Sequence, residues 1–160
     1  MKIRTGIGID FHRLENGIPL RLGGVDIPSE KGYVAHSDGD ALIHAICDAI
    51  LGAAGLRDIG HYFPDTSDDY KNIDSRILLK KTSELITERG YSIENIDSVI
   101  CLERPRISPH IDEMRKTLAS ILSIEYGDIA IKATTTEKLG FTGREEGIAT
   151  FATVLISKKQ

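Results

Sequence analysis

Residues 36 to 55, HSDGDALIHAICDAILGAAG, restrict the fold more than any other stretch of the chain. From Ala41 onward they read as a helix that is apolar in most directions, with Leu42, Ile43, Ile46, Ile50, Leu51, Ala53 and Ala54 spread around it. A helix lying on one face of a sheet ordinarily shows solvent a charged side. This one needs a cover on its outer side too, and in a chain of 160 residues the expected cover is a second copy. Asp40, His44 and Asp48 interrupt the apolar surface at intervals of four, which places them on one face of the helix. Asp40 suits the first turn through the helix dipole. Taken alone, His44 reads as a satisfied core histidine.

Around this helix the chain alternates strand and helix signals. KIRTGIGIDFHRL and IPLRLGGVDIP are β-rich and punctuated by Asn16-Gly17 and Gly23-Gly24, a pattern that predicts an N-terminal hairpin unit. A polar stretch, RDIGHYFPDTSDDYKNI, follows the helix and is too long for a simple connector. Asp74 or Ser75 then caps a second helix running through Glu88, and IDSVICLERPR reads as a strand ended by Pro105. Pro109 opens a third helix whose Ile111, Met114, Leu118, Ile121 and Leu122 form one apolar face. DIAIKATTT, a Gly-rich loop and a closing strand IATFATVLIS complete the chain. The expectation is an α+β fold: one domain over residues 1–160, a sheet with helices packed on one face, and association with further copies of the chain.

Composition excludes several function classes. Asp plus Glu number 24 against 20 Lys plus Arg, so the chain lacks the basic surplus of a nucleic-acid surface. Any anionic ligand must be met by a local cluster or a metal. Cys47 and Cys101 have no CxxC spacing, and MKIRTGIGID carries no apolar leader, which points to a reducing, cytoplasmic setting. The longest apolar run is too short for a membrane span.

Two constellations carry chemistry. Asp10 and His12 stand two apart on a strand, on one face. With His44 they make an Asp, His, His set, and three N/O ligands with a vacant fourth position suit a catalytic zinc or a similar ion. The second is KATTTEKLGFTGR, residues 132 to 144. Its threonines are ordinary strand filler when read alone. With Glu137, Gly140, Gly143 and Arg144 they offer hydroxyl donors, a carboxylate for a hard cation, backbone N–H groups and a guanidinium fork, an inventory suited to a diphosphate.

DFH at Asp10 to His12, the segment from Ala35 to Gly60, FPDT at Phe63 to Thr66, DSR at Asp74 to Arg76, PHI at Pro109 to Ile111 and KATTTEKLGFTGREEGIA resemble, in register over essentially the whole chain, the 2-C-methyl-D-erythritol 2,4-cyclodiphosphate synthases. The resemblance implies a phosphorus–oxygen lyase of the non-mevalonate isoprenoid pathway. Its reaction converts 4-diphosphocytidyl-2-C-methyl-D-erythritol 2-phosphate to the cyclic diphosphate with release of CMP. It implies zinc on Asp10, His12 and His44, and a second ion, magnesium or manganese, on Glu137. His36 and Thr135 match the positions that stabilise the transition state, and Ser37 lies beside His36. Asp58, Ile59, Gly60, Phe63, Pro64, Asp65, Thr66 and Ser67 match the loop that holds the methylerythritol.

Leu102 to Ser108, with Pro105 and Arg106 among them, resemble the cytidine pocket together with Thr134. Asp10, His12, Thr136, Glu137, Phe141 and Arg144 match further substrate contacts. The family's homotrimer, with active sites between subunits, is the implied assembly. Asp48, one turn beyond His44, is expected from spacing to orient it. Ser67-Asp68 replaces the family's usual Asp-Pro, Glu145 a common Gly, and Arg106 the more usual Lys. Two other functions fit the same residues: a zinc-dependent phosphodiesterase, and a non-catalytic trimer that binds an isoprenoid diphosphate.

Overall fold

Strand β1, Lys2–Asn16, organises the molecule because its alternate residues have opposite chemistry. Ile3, Ile7, Ile9 and Phe11 point to one face of the sheet, and Gly6, Gly8, Asp10 and His12 to the other. In the computed structural model, which describes residues 1–35, 37–64, 66–67, 70 and 72–158, the second face carries the helices. β1 pairs antiparallel with β7, Gly147–Lys158, from Lys2 opposite Lys158 to Arg13 opposite Gly147. Its far end pairs with β4, Lys31–Val34. β5, Ser92–Cys101, lies antiparallel to β7, and β6, Ile129–Thr134, runs parallel to β5. The sheet order is β4-β1-β7-β5-β6. The parallel pair requires a crossover, which helix α4, Ile111–Leu122, supplies.

The expected α+β architecture with helices on one face is the one observed. The expected N-terminal hairpin is different. The second β-rich segment divides into β2, Leu20–Leu22, and β3, Val25–Ile27, which pair only with each other about Gly23 and Gly24. Both glycines have positive φ, 59° and 75°, which suits this tight turn. β1 takes the closing strand as its long partner instead, a pairing no local turn signal announces. β5 also stops at Cys101, and Leu102 to Arg106 form a loop containing a cis Arg104–Pro105 bond.

Helix α1, Ala41–Ala53, sits directly on β1 and β7. Its Ala45 and Ala49 meet Gly8 and Gly6 backbone to backbone: a Cβ added at Gly8 would lie 1.9 Å from the Ala45 carbonyl oxygen. The helix sinks so far that α3, Ser75–Thr87, lies across its outer side, burying Leu78, Leu79, Thr82 and Ile86. Leu42, Ile43, Ile46, Cys47, Ile50 and Leu51 are all fully buried within one chain. The expectation that a second copy covers α1 is therefore corrected, since the chain's own α3 does so. The uncovered apolar surface lies on the opposite side of the sheet, where Ile3, Ile7, Ile9 and Phe11 are 55, 64, 43 and 55% exposed.

Candidate functional site

The closeness of α1 to β1 brings His44 against Asp10 and His12. Asp10 Oδ2 lies 2.8 Å from His12 Nε2 and 3.3 Å from His44 Nδ1, and the two imidazole nitrogens are 3.3 Å apart. Metal–ligand bonds of 2.0–2.1 Å at tetrahedral angles separate the donor atoms by about 3.3 Å. Two edges of the observed triangle match that separation and the third is shorter. Asp10 Oδ2 is buried, and among the described residues no well-formed hydrogen bond satisfies it, only the approach of the two rings. A buried carboxylate oxygen facing two imidazole nitrogens fits a divalent cation, and these three residues are the metal-competent cluster among the described residues.

Electrostatics favour the ionised carboxylate. Burial alone would raise the Asp10 pKa, but the neighbouring imidazoles outweigh it and leave the group below its ordinary value. Burial pushes His44 down, the Asp10 carboxylate pulls it up more strongly, and the net shift is upward.

The three polar residues of α1 serve three different purposes. Asp40 caps the helix, accepting from Ile43 N at 3.1 Å, and also takes Gly23 N at 2.9 Å and Gly24 N at 2.6 Å, so it ties the β2–β3 turn to α1. Burial raises its pKa despite these bonds. His44 joins the triangle. Asp48 does not orient His44 as its spacing suggested. Its Oδ1 accepts from Ile59 N at 2.8 Å, which anchors the start of α2, Ile59–Tyr62. The far nitrogen of His44, Nε2, instead lies 2.9 Å from Ser75 Oγ and 3.4 Å from Ser37 Oγ. Ser75 is fully buried, and both its Oγ and its N donate to Asp38. Ser75 and Asp38 belong to quoted motifs, yet in one dimension they read only as a helix start and a turn.

Several of the other expected site residues line two clefts that have no lining residue in common. One, of about 400 Å³, is lined by His12, Ser37, His44, Ile59, Gly60 and Phe63, with Tyr70 and Leu78 also on its wall. Asp58 caps α2 through His61 N at 2.9 Å, and Pro64 O accepts from Ser67 N at 3.1 Å in the turn that carries Thr66. His36 and Asp65, and Asp68 of the Ser67-Asp68 departure, lie outside the described residues. The other cleft, of about 440 Å³, gathers Leu102, Pro105, Arg106, Ser108, Thr134 and Thr135 at the ends of β5 and β6. Arg106 Nε donates to Ser108 Oγ at 3.0 Å there.

Glu137 stands in the turn after β6, outside the triangle. Glu137 and Lys138 both have positive φ, 52° and 64°, a conformation that costs a non-glycine residue about 1–2 kcal/mol. Thr136 Oγ1 holds the turn by donating to Leu139 O at 2.6 Å and pairing with Thr142 Oγ1 at 2.8 Å. The Thr135 hydroxyl is 3.4 Å from Glu137 Oε1. Phe141 lies edge-on to Phe11 with centroids 6.0 Å apart. Arg144, expected to offer its fork to phosphate, is engaged in this chain by Glu146 at 3.0 and 3.1 Å.

The sequence model of the YgbB family matches residues 3–157. A 2-C-methyl-D-erythritol 2,4-cyclodiphosphate synthase of Bacteroides fragilis is 60% identical over 158 residues, 99% of each chain, and one of Chlorobium phaeobacteroides is 54% identical over the same span. Among solved structures, a 2C-methyl-D-erythritol-2,4-cyclodiphosphate synthase in its CDP-bound form superposes with a TM-score of 0.90 at 38% identity, covering 96% of this chain and all of that one. The bifunctional IspDF of Campylobacter jejuni superposes with a TM-score of 0.95 at 43% identity. The match spans 99% of the present chain and 43% of that longer one.

Proposed function

The chain belongs to the YgbB family, and on that premise we propose that it is the enzyme converting 4-diphosphocytidyl-2-C-methyl-D-erythritol 2-phosphate to 2-C-methyl-D-erythritol 2,4-cyclodiphosphate and CMP, in isoprenoid precursor synthesis. The observation that carries the reading is the Asp10, His12, His44 triangle at the wall of a cleft of substrate size. In this reaction a 2-phosphate oxygen bonds to the β-phosphorus, the bond from that phosphorus to the oxygen bridging it to the α-phosphate breaks, and CMP leaves with the electron pair. No water enters the product and no protein nucleophile is needed, which places the reaction with the phosphorus–oxygen lyases.

Every reacting group is anionic, so positioning and charge compensation supply the rate. Asp10, His12 and His44 would hold zinc, and Glu137 a magnesium or manganese ion; such ions supply charge neutralisation and polarisation of phosphoryl oxygens. Ser37, on the cleft wall beside His44, offers a hydroxyl to the phosphate. Asp58 to Gly60, anchored by Asp48, with Phe63 to Ser67, enclose the methylerythritol. Leu102, Pro105, Arg106, Ser108 and Thr134 receive the cytidine, and Thr135 and His36 donate to the developing charge. Phe141 and Arg144 complete the substrate contacts, with Arg144 exchanging Glu146 for phosphate.

Within one chain the two clefts are separate, and the sheet face bearing Ile3, Ile7, Ile9 and Phe11 is apolar and exposed. Both features support a homotrimer in which apolar sheet faces pack together and each active site joins the metal cleft of one copy to the cytidine cleft of the next. No helix among the described residues is long and apolar enough to cross a membrane, and Cys47 and Cys101 are free thiols, which accords with the cytoplasm.

Phosphorus NMR of the products, paired with elemental metal analysis, tests this function. The cyclic diphosphate with CMP is expected, and His44→Gln is expected to lose bound zinc and at least about a hundredfold in turnover. An open-chain phosphate that has taken up water would make the protein a phosphodiesterase. Binding without turnover at saturating divalent ion would make it a storage or sensing trimer. Stoichiometric zinc and near-normal activity in His44→Gln would return His44 to the role of a core histidine.

A further inference from the structure

Resting on the metal reading of the triangle, we propose that Ser75 and Asp38 are positioning residues that fix the tautomer of His44, holding its proton on Nε2 so that Nδ1 presents a lone pair to the metal.

The argument is an inventory of protons. A histidine ligates through a nitrogen that carries no proton, so in neutral His44 the other nitrogen must carry it. Nδ1 faces Asp10 Oδ2 and His12 Nε2, each at 3.3 Å, and Nε2 faces Ser75 Oγ at 2.9 Å. A serine hydroxyl both donates and accepts, so Ser75 by itself selects neither tautomer. Asp38 removes the ambiguity. An ionised carboxylate only accepts, and Asp38 Oδ1 takes the Ser75 hydroxyl proton. Ser75 Oγ is then left to accept, and the proton in the contact with His44 must come from Nε2. Asp10 Oδ2, the opposing acceptor at Nδ1, makes no well-formed hydrogen bond there, so the shorter Nε2 contact holds the proton of the neutral ring. Ser37 Oγ, 3.4 Å from Nε2, is the weaker neighbour.

Asp38 is itself held by donors on all sides. Its Oδ2 accepts from Ser75 N at 2.9 Å, its Oδ1 from Asp40 N at 3.2 Å, and the Arg21 guanidinium lies 3.7 Å from Oδ2. Arg21 comes from β2, Asp38 from the turn before α1 and Ser75 from the first turn of α3. Three elements therefore meet behind one imidazole, at a point with no direct access to substrate through Ser75, which is fully buried. A carboxylate behind a metal-ligating histidine fixes the ring and raises its basicity. Here the carboxylate acts through an intervening hydroxyl.

Two variants separate this polarity from a merely structural role. Ser75→Ala removes the acceptor at a helix position where alanine is well tolerated. Asp38→Asn goes further and reverses the polarity. Ser75 N at 2.9 Å and the Arg21 guanidinium both face Oδ2, against the longer 3.2 Å contact of Asp40 N at Oδ1. The asparagine therefore places its oxygen at the Oδ2 position, gives up the Asp40 N bond and turns its NH₂ toward Ser75 Oγ. The hydroxyl then donates to His44 Nε2 and drives the ring proton to Nδ1. The measurements are nitrogen-15 NMR of the histidine rings in the metal-free protein and zinc affinity by competition with a chromophoric chelator, with circular dichroism as the check on folding.

At alkaline pH, where the ring is neutral, metal-free wild type is expected to carry the His44 proton on Nε2, Ser75→Ala to show a mixture of tautomers, and Asp38→Asn to shift the proton to Nδ1. Both variants are expected to bind zinc about 10–100-fold more weakly. Folded variants whose His44 spectrum and zinc affinity equal those of wild type would overturn the proposal. So would a wild-type His44 protonated on Nδ1. Failure of wild type to bind zinc, with the tautomer pattern as expected, would refute the metal reading and leave the relay standing. Should one variant fail to fold, the other and the wild-type spectrum still decide the question.

Discussion

Gly8→Ala should damage stability and the metal triangle together, because Gly8 is where α1 rests on β1. The new Cβ would lie 1.9 Å from the Ala45 carbonyl oxygen and 2.8 Å from both Ala45 C and Ala49 N. All three are backbone atoms, so no side chain can swing away to make room. An ordinary C···O contact is about 3.3 Å, so helix and strand must separate by about 1.4 Å at this point. Overpacking of this kind costs about 3 kcal/mol, the upper part of its usual range, or a fall in melting temperature of about 6–12 °C in a chain of this size.

The displaced carbonyl belongs to the residue after His44, and Asp10 follows Gly8 by two. A separation of about 1.4 Å far exceeds the ±0.2 Å that metal–ligand distances tolerate, so zinc affinity should fall at least about tenfold. Thermal unfolding of the metal-free protein and chelator competition measure the two effects. Gly52→Ala on the same helix is the control. Its Cβ would meet only Ile7 O at 4.0 Å, and it should gain up to about 1 kcal/mol from helix propensity. A Gly8→Ala protein that melts with wild type and binds zinc as tightly would refute the account of how α1 is seated.

Glu145 has φ 58°, so Glu145→Gly relieves a left-handed strain of about 1 kcal/mol, whereas Glu145→Ala retains it. Both lose the part-exposed ion pairs to Lys31 at 3.8 Å and Arg104 at 3.5 Å, so the glycine variant should exceed the alanine variant by about 1 kcal/mol in denaturant unfolding; equal midpoints would count against the strain. Asp74 has a pKa lowered chiefly by its hydrogen bonds from Arg76, so its contribution is present above the unfolded pKa of about 3.9 and lost as pH falls through the lower folded value. Asp74→Asn keeps the cap on α3 but not the charge. It should melt below wild type at pH 7, by no more than about 1 kcal/mol after screening, with the difference closing as pH falls below about 3.9; a gap that persists in acid would show that the charge is not its source.

The sequence by itself determined the α+β class and the three long helices, which rest on short-range periodicity, and it pointed to the Asp10, His12, His44 set through the resemblance of its motifs to a family, since spacing alone does not bring His44 to the strand. β1 displays its two faces by alternation alone, and Asp74 or Ser75 marks the start of α3, with Asp74 the one the structure uses as the cap. Only the tertiary structure decided what covers α1. Apolarity in most directions says that a helix is buried but not by what, and the answer depends on Gly6 and Gly8 admitting Ala49 and Ala45 so closely that α3 can lie across the outer side. It likewise decided the roles within the polar stripe. Spacing places Asp48 on the face of His44, but hydrogen bonds depend on what the rest of the chain brings near, and that was Ile59 N for Asp48 and Ser75 for His44. The Asp38, Ser75, His44 relay joins residues 31 to 37 positions apart across a helix–helix contact. No local pattern encodes such a separation, because its partners become neighbours only when α3 packs on α1.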